Sequence, residues 1–271
     1  MFHAENLNVT LSTGAEMYYA KFGRGEKRLV MIPGLNIVDM NGTANNLSYF
    51  YRKFARDFTV YVFDRRKGRD PECTIRTMAE DLADAMQTLG ITDAYVIGVS
   101  QGGMIAQCLA AEHPALVRKL VLGVTAARTN PVMREAVGEW LKMAENGDLQ
   151  GVITKSYDRM YTEQQMKLYR RLLPFMMKFT KCMSIERFAD HARAIYSLDD
   201  LDLPGRIQCP VLVLGGALDR ITTAGGAAEI AEQLGCKLHI FPHEGHAAYL
   251  SKGFNQMAYD FCMENDPPAS R

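Results

Sequence analysis

Three residue types that together can open a carbonyl compound occur in this chain in a readable order: Ser100, Asp219 and His246. The serine lies in YVIGVSQGGMIA (95–106), where Gly98-Val99-Ser100-Gln101-Gly102 fits G-x-S-x-G. Alone, that spacing says little. Here a β-branched apolar run precedes it and a helical pattern follows, which is the setting of a nucleophile elbow. The reason for the glycines is steric. A serine on so tight a strand-to-helix turn leaves no room for side chains two residues either side. Its hydroxyl would then stand off the carboxyl end of the strand, and the N–H of Gln101, at the helix start, would favour an oxyanion.

A serine hydroxyl needs a base. Of six histidines, His3 is in an N-terminal strand region, His113 is at a helix end before Pro114, His191 is in a helical stretch and His239 is inside KLHIF, where packing is expected. His243 and His246 remain, both in FPHEGHAAYL after the last strand. His246 is favoured, although physics alone does not separate the two. The base in turn needs a carboxylate to set its tautomer and orientation. PVLVLGGALDRIT delivers Asp219 just after the preceding strand, and the order Ser, Asp, His suits this architecture. The competing reading of Asp219 is a helix cap near 222. Glu244, Asp199, Asp200 and Asp202 are poorer choices, the first by its nearness to His246 and the others because they precede the strand. A second oxyanion donor is expected after LVMI, in Pro33-Gly34-Leu35-Asn36, with the N–H of Leu35 the choice over an ordinary turn.

The elements that must position these groups read as strands alternating with helices. Residues 5–22 form a hairpin, and 29–32, 58–63, 94–98, 120–124, 210–216 and 237–241 are short apolar runs without clean alternation, as expected of strands covered on both faces. Helical patterns occupy 77–90, 101–112, 224–234 and 251–263. Strand–helix alternation implies a doubly wound, mostly parallel sheet. It breaks between about 127 and 203, where only helices are expected (131–145, 148–160, 163–178 and 184–198) and seven of the sixteen methionines fall. A Met-rich helical insertion suits a lid over an irregular apolar ligand, although those methionines serve equally well as the insertion's own core. The expected division is therefore a core over 1–126 and 204–271, with a lid over 127–203 after the sixth strand. Trp140, Tyr157, Tyr161, Tyr169, Phe175 and Phe179 are candidates for its pocket wall.

The chain has 271 residues, 48% hydrophobic and 23% charged, with a net charge of +0. That balance argues against electrostatic binding to nucleic acid or an anionic membrane. No apolar run approaches a bilayer span, and MFHAENLNV lacks the basic and apolar regions of a signal peptide. Six scattered cysteines without a CxxC pair read as buried free thiols. A cytoplasmic protein is the expectation.

PGLN, FDRR (63–66), GVSQGG, HPALVRKLVL (113–122), GGALD and GHAAYL together make the chain resemble the α/β-hydrolase superfamily, in its compact lid-bearing branch of esterases, lactonases, carbon–carbon hydrolases, cofactor-free perhydrolases and small peptidases. The resemblance covers nearly the whole chain and is specific for fold and triad, much less so for substrate. It implies a serine hydrolase of a small carboxylic ester or lactone, without cofactor or metal, acting through Ser100, His246 and Asp219. Thioester, peptide and carbon–carbon bond cleavage, perhydrolysis, and a slow ligand receptor on the same fold are its alternatives. A small ester-like molecule is the expected partner, and a homo-oligomer stays open. Ser100 argues against dehalogenase and epoxide hydrolase chemistry, which place an aspartate there. Two departures stand out. The loop after LVMI begins Pro-Gly rather than His-Gly, which implies an oxyanion hole of altered shape. The turn after FDRR reads KGRDPE, with Asp64 and Arg65 expected to be structural.

Overall fold

The computed structural model describes residues 3–167 and 182–264. Eight strands form one sheet in the order β1-β2-β4-β3-β5-β6-β7-β8. They are β1 (Glu5–Thr10), β2 (Glu16–Phe22), β3 (Lys27–Ile32), β4 (Phe58–Arg66), β5 (Ala94–Val99), β6 (Val117–Gly123), β7 (Val211–Gly216) and β8 (Lys237–Phe241). The β1–β2 hairpin and the β2–β4 pair are antiparallel, and every pair from β4 to β8 is parallel. β5 and β7 are buried at every position, as their unbroken apolar runs require. KLHIF is the exception. It forms the sheet edge, where Lys237 and Leu238 are exposed and His239 is only half-buried against Phe241.

The core helices are α1 (Ala44–Phe50), α2 (Ile75–Thr88), α3 (Gln101–Glu112), α7 (Thr223–Leu234) and α8 (Lys252–Met263). α2 begins two residues before the expected 77 because Thr74 and Thr77 form a reciprocal capping box. α1 was not foreseen. Its seven residues carry no apolar stripe, and Tyr49 is left 67% exposed. Two apolar cores result, one on each face of the sheet: one against α2 and α3, the other under Phe54, Phe254 and Phe261.

Between β6 and β7 lie α4 (Pro131–Glu145), α5 (Leu149–Met160) and α6 (Ile185–Ala194). Each starts on a side-chain cap, from Asn130, Asp148 and Ser184 respectively. The expected 184–198 helix changes winding at Ile195, where a 3-10 turn runs to Asp200. Of the expected 163–178 helix, 163–167 are helical. The remainder lies outside the described residues, with Tyr169, Phe175 and Phe179. Among the described residues, an isolated antiparallel bridge ties the insertion to the PGLN loop side, joining Val38 to Cys182 beside a Met183 N–H that donates to the Ile37 carbonyl at 2.9 Å.

Arginines latch α6 to the end of β4 and the turn after it. Arg69 donates to both oxygens of buried Asp190 at 3.0 Å, and Arg187 donates to the carbonyls of Arg65 (3.1 Å) and Arg66 (2.9 Å) and to Asp64 (3.4 Å). The carboxyl end of β4 and the KGRDPE turn after it are thus a mooring point of the helical insertion. All six cysteines are free thiols, but only Cys108 and Cys262 are fully buried. The other four are half-buried, so the expectation of buried thiols holds for two. No helix among the described residues is long and apolar enough to cross a membrane.

Candidate active site

Ser100 sits between β5 and α3 with φ 53° and ψ −125°, a conformation that costs free energy for a residue with a Cβ. The surroundings enforce it. The Ser100 N–H donates to the Gly123 carbonyl at 2.9 Å. The Ser100 carbonyl accepts from the N–H groups of Gly103 (2.8 Å) and Met104 (3.2 Å) and from the Thr125 hydroxyl (2.7 Å). A Cβ at Gly98 would fall 2.5 Å from the Gly102 carbonyl oxygen, and one at Gly102 would strike the carbonyl of Ile32. The flanking glycines are therefore needed for close approach, as the spacing implied.

His246 opens a 3-10 turn (His246–Leu250) after β8, and Asp219 lies in the loop after β7. His246 Nδ1 is 2.9 Å from Asp219 Oδ2, and both side chains are buried. The Asp219 carboxylate also accepts from the N–H groups of Ile221 (2.8 Å) and Thr222 (3.1 Å) and from the Thr222 hydroxyl (2.7 Å). Burial alone would push this carboxyl up. The His246 ring and the hydrogen bonds from His246, Thr222 and Ile221 outweigh burial and hold it below the usual carboxylate range. The two readings of Asp219 thus coexist: it caps the turn into α7 and it holds the imidazole. His243 is exposed in the adjoining loop. Asp199 is engaged elsewhere, by Thr129 and Arg134.

Ser100 and His246 open onto one cavity of about 500 Å³. Leu35 lines it as well, in the PGLN loop that passes so near the elbow that a Cβ on Gly34 would lie 3.0 Å from the Ser100 Cβ. The shape of that loop is set by side chains. Asn36 brackets Val38, accepting from its N–H (3.0 Å) and donating to its carbonyl (2.9 Å). Buried Arg65 reaches from β4 to donate from Nη2 to both the Pro33 carbonyl (2.8 Å) and Gln101 Oε1 (3.0 Å). One guanidinium thereby ties together the two chain segments that carry the Leu35 and Gln101 N–H groups. Burial lowers the Arg65 pKa to about 10, against the pull of Asp64, so it stays charged near neutral pH. Gln101 is held from its other end too, because its Nε2 donates to the His191 carbonyl at 2.5 Å. His191 is buried beside Arg65 and Arg187, and burial foremost drives its pKa down to about 3.

Of the expected wall residues, Trp140, Tyr157 and Tyr161 line the cavity, and Phe175 lies outside the described residues. Sequence reasoning missed Met104, Val137, Ile153 and Phe188 on the insertion side. It also missed a whole second wall, with Tyr51, Tyr249 and Phe254. The last two follow His246 within eight residues, a signal that could have been read.

A family model described as alpha/beta hydrolase fold matches residues 27–253. The chain is 29% identical to a pimeloyl-[acyl-carrier protein] methyl ester esterase of Chromobacterium violaceum, over 80% of this chain and 89% of that protein. It is 25% identical to the human serine hydrolase BPHL, over 92% and 83%. Among solved structures, the enol-lactonase of Burkholderia xenovorans LB400 superposes with a TM-score of 0.83 at 21% identity, covering 95% of this chain and all of that one, a likeness of fold. With the sheet order, the helical insertion and a match spanning most of its length, the chain belongs to the α/β-hydrolase fold family.

Proposed function

We propose that the protein is a serine hydrolase of small, uncharged carboxylic esters or lactones. The observation that carries this reading is a serine on an enforced turn and an imidazole bonded to a buried carboxylate, both facing one mainly apolar cavity. As to the bond cleaved, the names of relatives lean the same way: a methyl ester esterase and, at 21% identity over 91% of this chain, a 3-oxoadipate enol-lactonase of Acinetobacter baylyi.

In this mechanism Ser100 Oγ attacks the ester carbonyl carbon while His246 Nε2 takes its proton. Asp219 holds the Nδ1–H and stabilises the imidazolium. The N–H groups of Leu35 and Gln101 receive the oxyanion. His246 then hands the proton to the departing alkoxy oxygen as the C–O bond breaks, leaving Ser100 acylated. Water, deprotonated by His246, attacks the acyl carbon, and the proton returns to Ser100 as the acid leaves. Residues 127–203 act as the lid that keeps bulk water from the acyl-enzyme.

Initial rates on p-nitrophenyl esters from acetyl to dodecanoyl, for wild type and Ser100→Ala in parallel, test this. Turnover by wild type that falls to background in the variant is expected. An optimum chain length would measure the cavity. No turnover of any ester by wild type would overturn the ester reading.

A further inference from the structure

The cavity belongs to both cores. Along β3, β4 and β5 the side chains alternate between the two sheet faces. Ile32 joins the core against α2 and α3, while Met31, Val62, Ile97 and Val99 join the opposite core under α8. All five line the same cavity, which therefore wraps around the carboxyl ends of these strands. One arm lies under the insertion, walled by Met133, Val137, Trp140, Ile153 and Phe188. The other lies between the sheet and helices α1 and α8, walled by Val62, Ile97, Leu47 and Phe254. Ser100 and His246 line it where the two meet.

The arms differ in what they offer a ligand. The sheet-side arm carries Tyr51 and Tyr249 as well as Asn46 and Asn255. Neither phenol has a hydrogen-bond partner among the described residues, and a half-buried hydroxyl in that state invites a water or a ligand. Burial pushes the Tyr249 phenol up to about 12 and Tyr51 higher still, so both remain neutral donors. Asn255 is fixed by donating to the carbonyls of Tyr249 (3.1 Å) and Ser251 (2.9 Å). No described residue of the wall is an Asp, Glu, Lys or Arg, so nothing there offsets the cost of desolvating a charged ligand.

We propose that the cavity is a two-armed site for an uncharged ester, taking an apolar half under the insertion and a half that bears a neutral hydroxyl or carbonyl against Tyr51 and Tyr249. The proposal rests on the ester-hydrolase reading above and deepens it.

The test uses the full chain and four esters in two pairs: phenethyl butyrate with the same ester hydroxylated at the para position of its alcohol half, and methyl 3-phenylpropanoate with methyl 3-(4-hydroxyphenyl)propanoate. Wild type should prefer one of the two hydroxylated compounds over its own parent by about tenfold in kcat/KM, the scale of one neutral hydrogen bond. Which one it is assigns the acyl and alcohol halves to the arms. In Tyr51→Phe/Tyr249→Phe that ratio should collapse toward one. Val62→Phe should penalise lengthening of the hydroxylated half, and Val137→Phe lengthening of the other. A wild-type ratio of one for both pairs, a ratio unmoved by the double variant, or two filling variants that penalise the same half would each overturn the two-armed site. If wild type hydrolyses none of these esters and a fluorophosphonate fails to label Ser100, the serine-hydrolase reading fails separately. The arms are then read by thermal shift with the corresponding ketones. A rise in Tm with the hydroxylated ketone that the double variant loses supports the site, and no rise overturns it.

Discussion

The turn holding Ser100 is fixed by backbone groups of β6 and α3 and by Thr125, whereas α6 of the insertion is moored through the side chains of Arg69 and Arg187. In the first region the partners, apart from the Thr125 hydroxyl, are main-chain atoms of buried elements, and displacing one would disturb the sheet. In the second the donors are arginine side chains, which can be replaced without moving the β4 carbonyls that Arg187 reaches. On the proposed function, the reacting serine belongs to the rigid part and the apolar arm under the insertion to the replaceable part, the division expected where one fold serves many reactions.

Substitutions on either side of that divide should behave differently. The largest effect belongs to the sheet. Asp219→Asn keeps the side-chain shape but forces the wrong tautomer on His246, and kcat on a hydrolysed ester should fall by about 10⁴-fold with little change in KM. A loss below tenfold would mean that the carboxylate only caps its turn. Next comes a pH effect at the junction of the two regions. His191 is held neutral in the fold, with a pKa near 3, and titrates near 6.5 when unfolded. Between those values the unfolded chain binds a proton that the native one does not. Stability is therefore complete above about pH 6.5 and declines on acidification, on the order of 1.4 kcal/mol per pH unit. Urea titrations from pH 7.5 to 4.5 should show this slope, and His191→Gln should flatten it.

The mooring itself is weaker. Arg187→Met removes three hydrogen bonds and leaves Asp64 without this cation, and should cost about 2–4 kcal/mol by chemical denaturation. The elbow should keep its geometry, so single-turnover acylation by a small ester should change less than steady-state discrimination between long esters. Equal losses in both would erase the distinction between platform and roof. The smallest effect is expected at Trp140, whose buried indole N–H has no partner among the described residues. Trp140→Phe trades lost volume against an unmet donor and should change stability by no more than about 1 kcal/mol.

What could be read from the sequence divides along the same line. The places of Ser100 between β5 and α3 and of Asp219 after β7 are announced within a dozen residues, because strand ends, flanking glycines and the following helix are local facts; the choice of His246 over His243 was not. The clamp by Arg65 was not legible, since its partners Pro33 and Gln101 lie 32 and 36 residues away. The sheet-side arm was hidden for a different reason. An apolar strand buried on both faces shows no alternation, so nothing marks which residues look into a cavity. The same ambiguity made KLHIF look like an inner strand when it is the edge. The short α1 escaped because a seven-residue helix with half its face in solvent has no period to detect.

Asp219 is a carboxylate with two employments. It closes the turn that launches α7 and it steers the imidazole. A descendant that gave up hydrolysis could discard Ser100 at no cost to its architecture, since the elbow is held by backbone. It could not discard Asp219 as freely. In this fold an aspartate persisting after strand β7 would be poor testimony that an enzyme still works, and the serine would be the better witness.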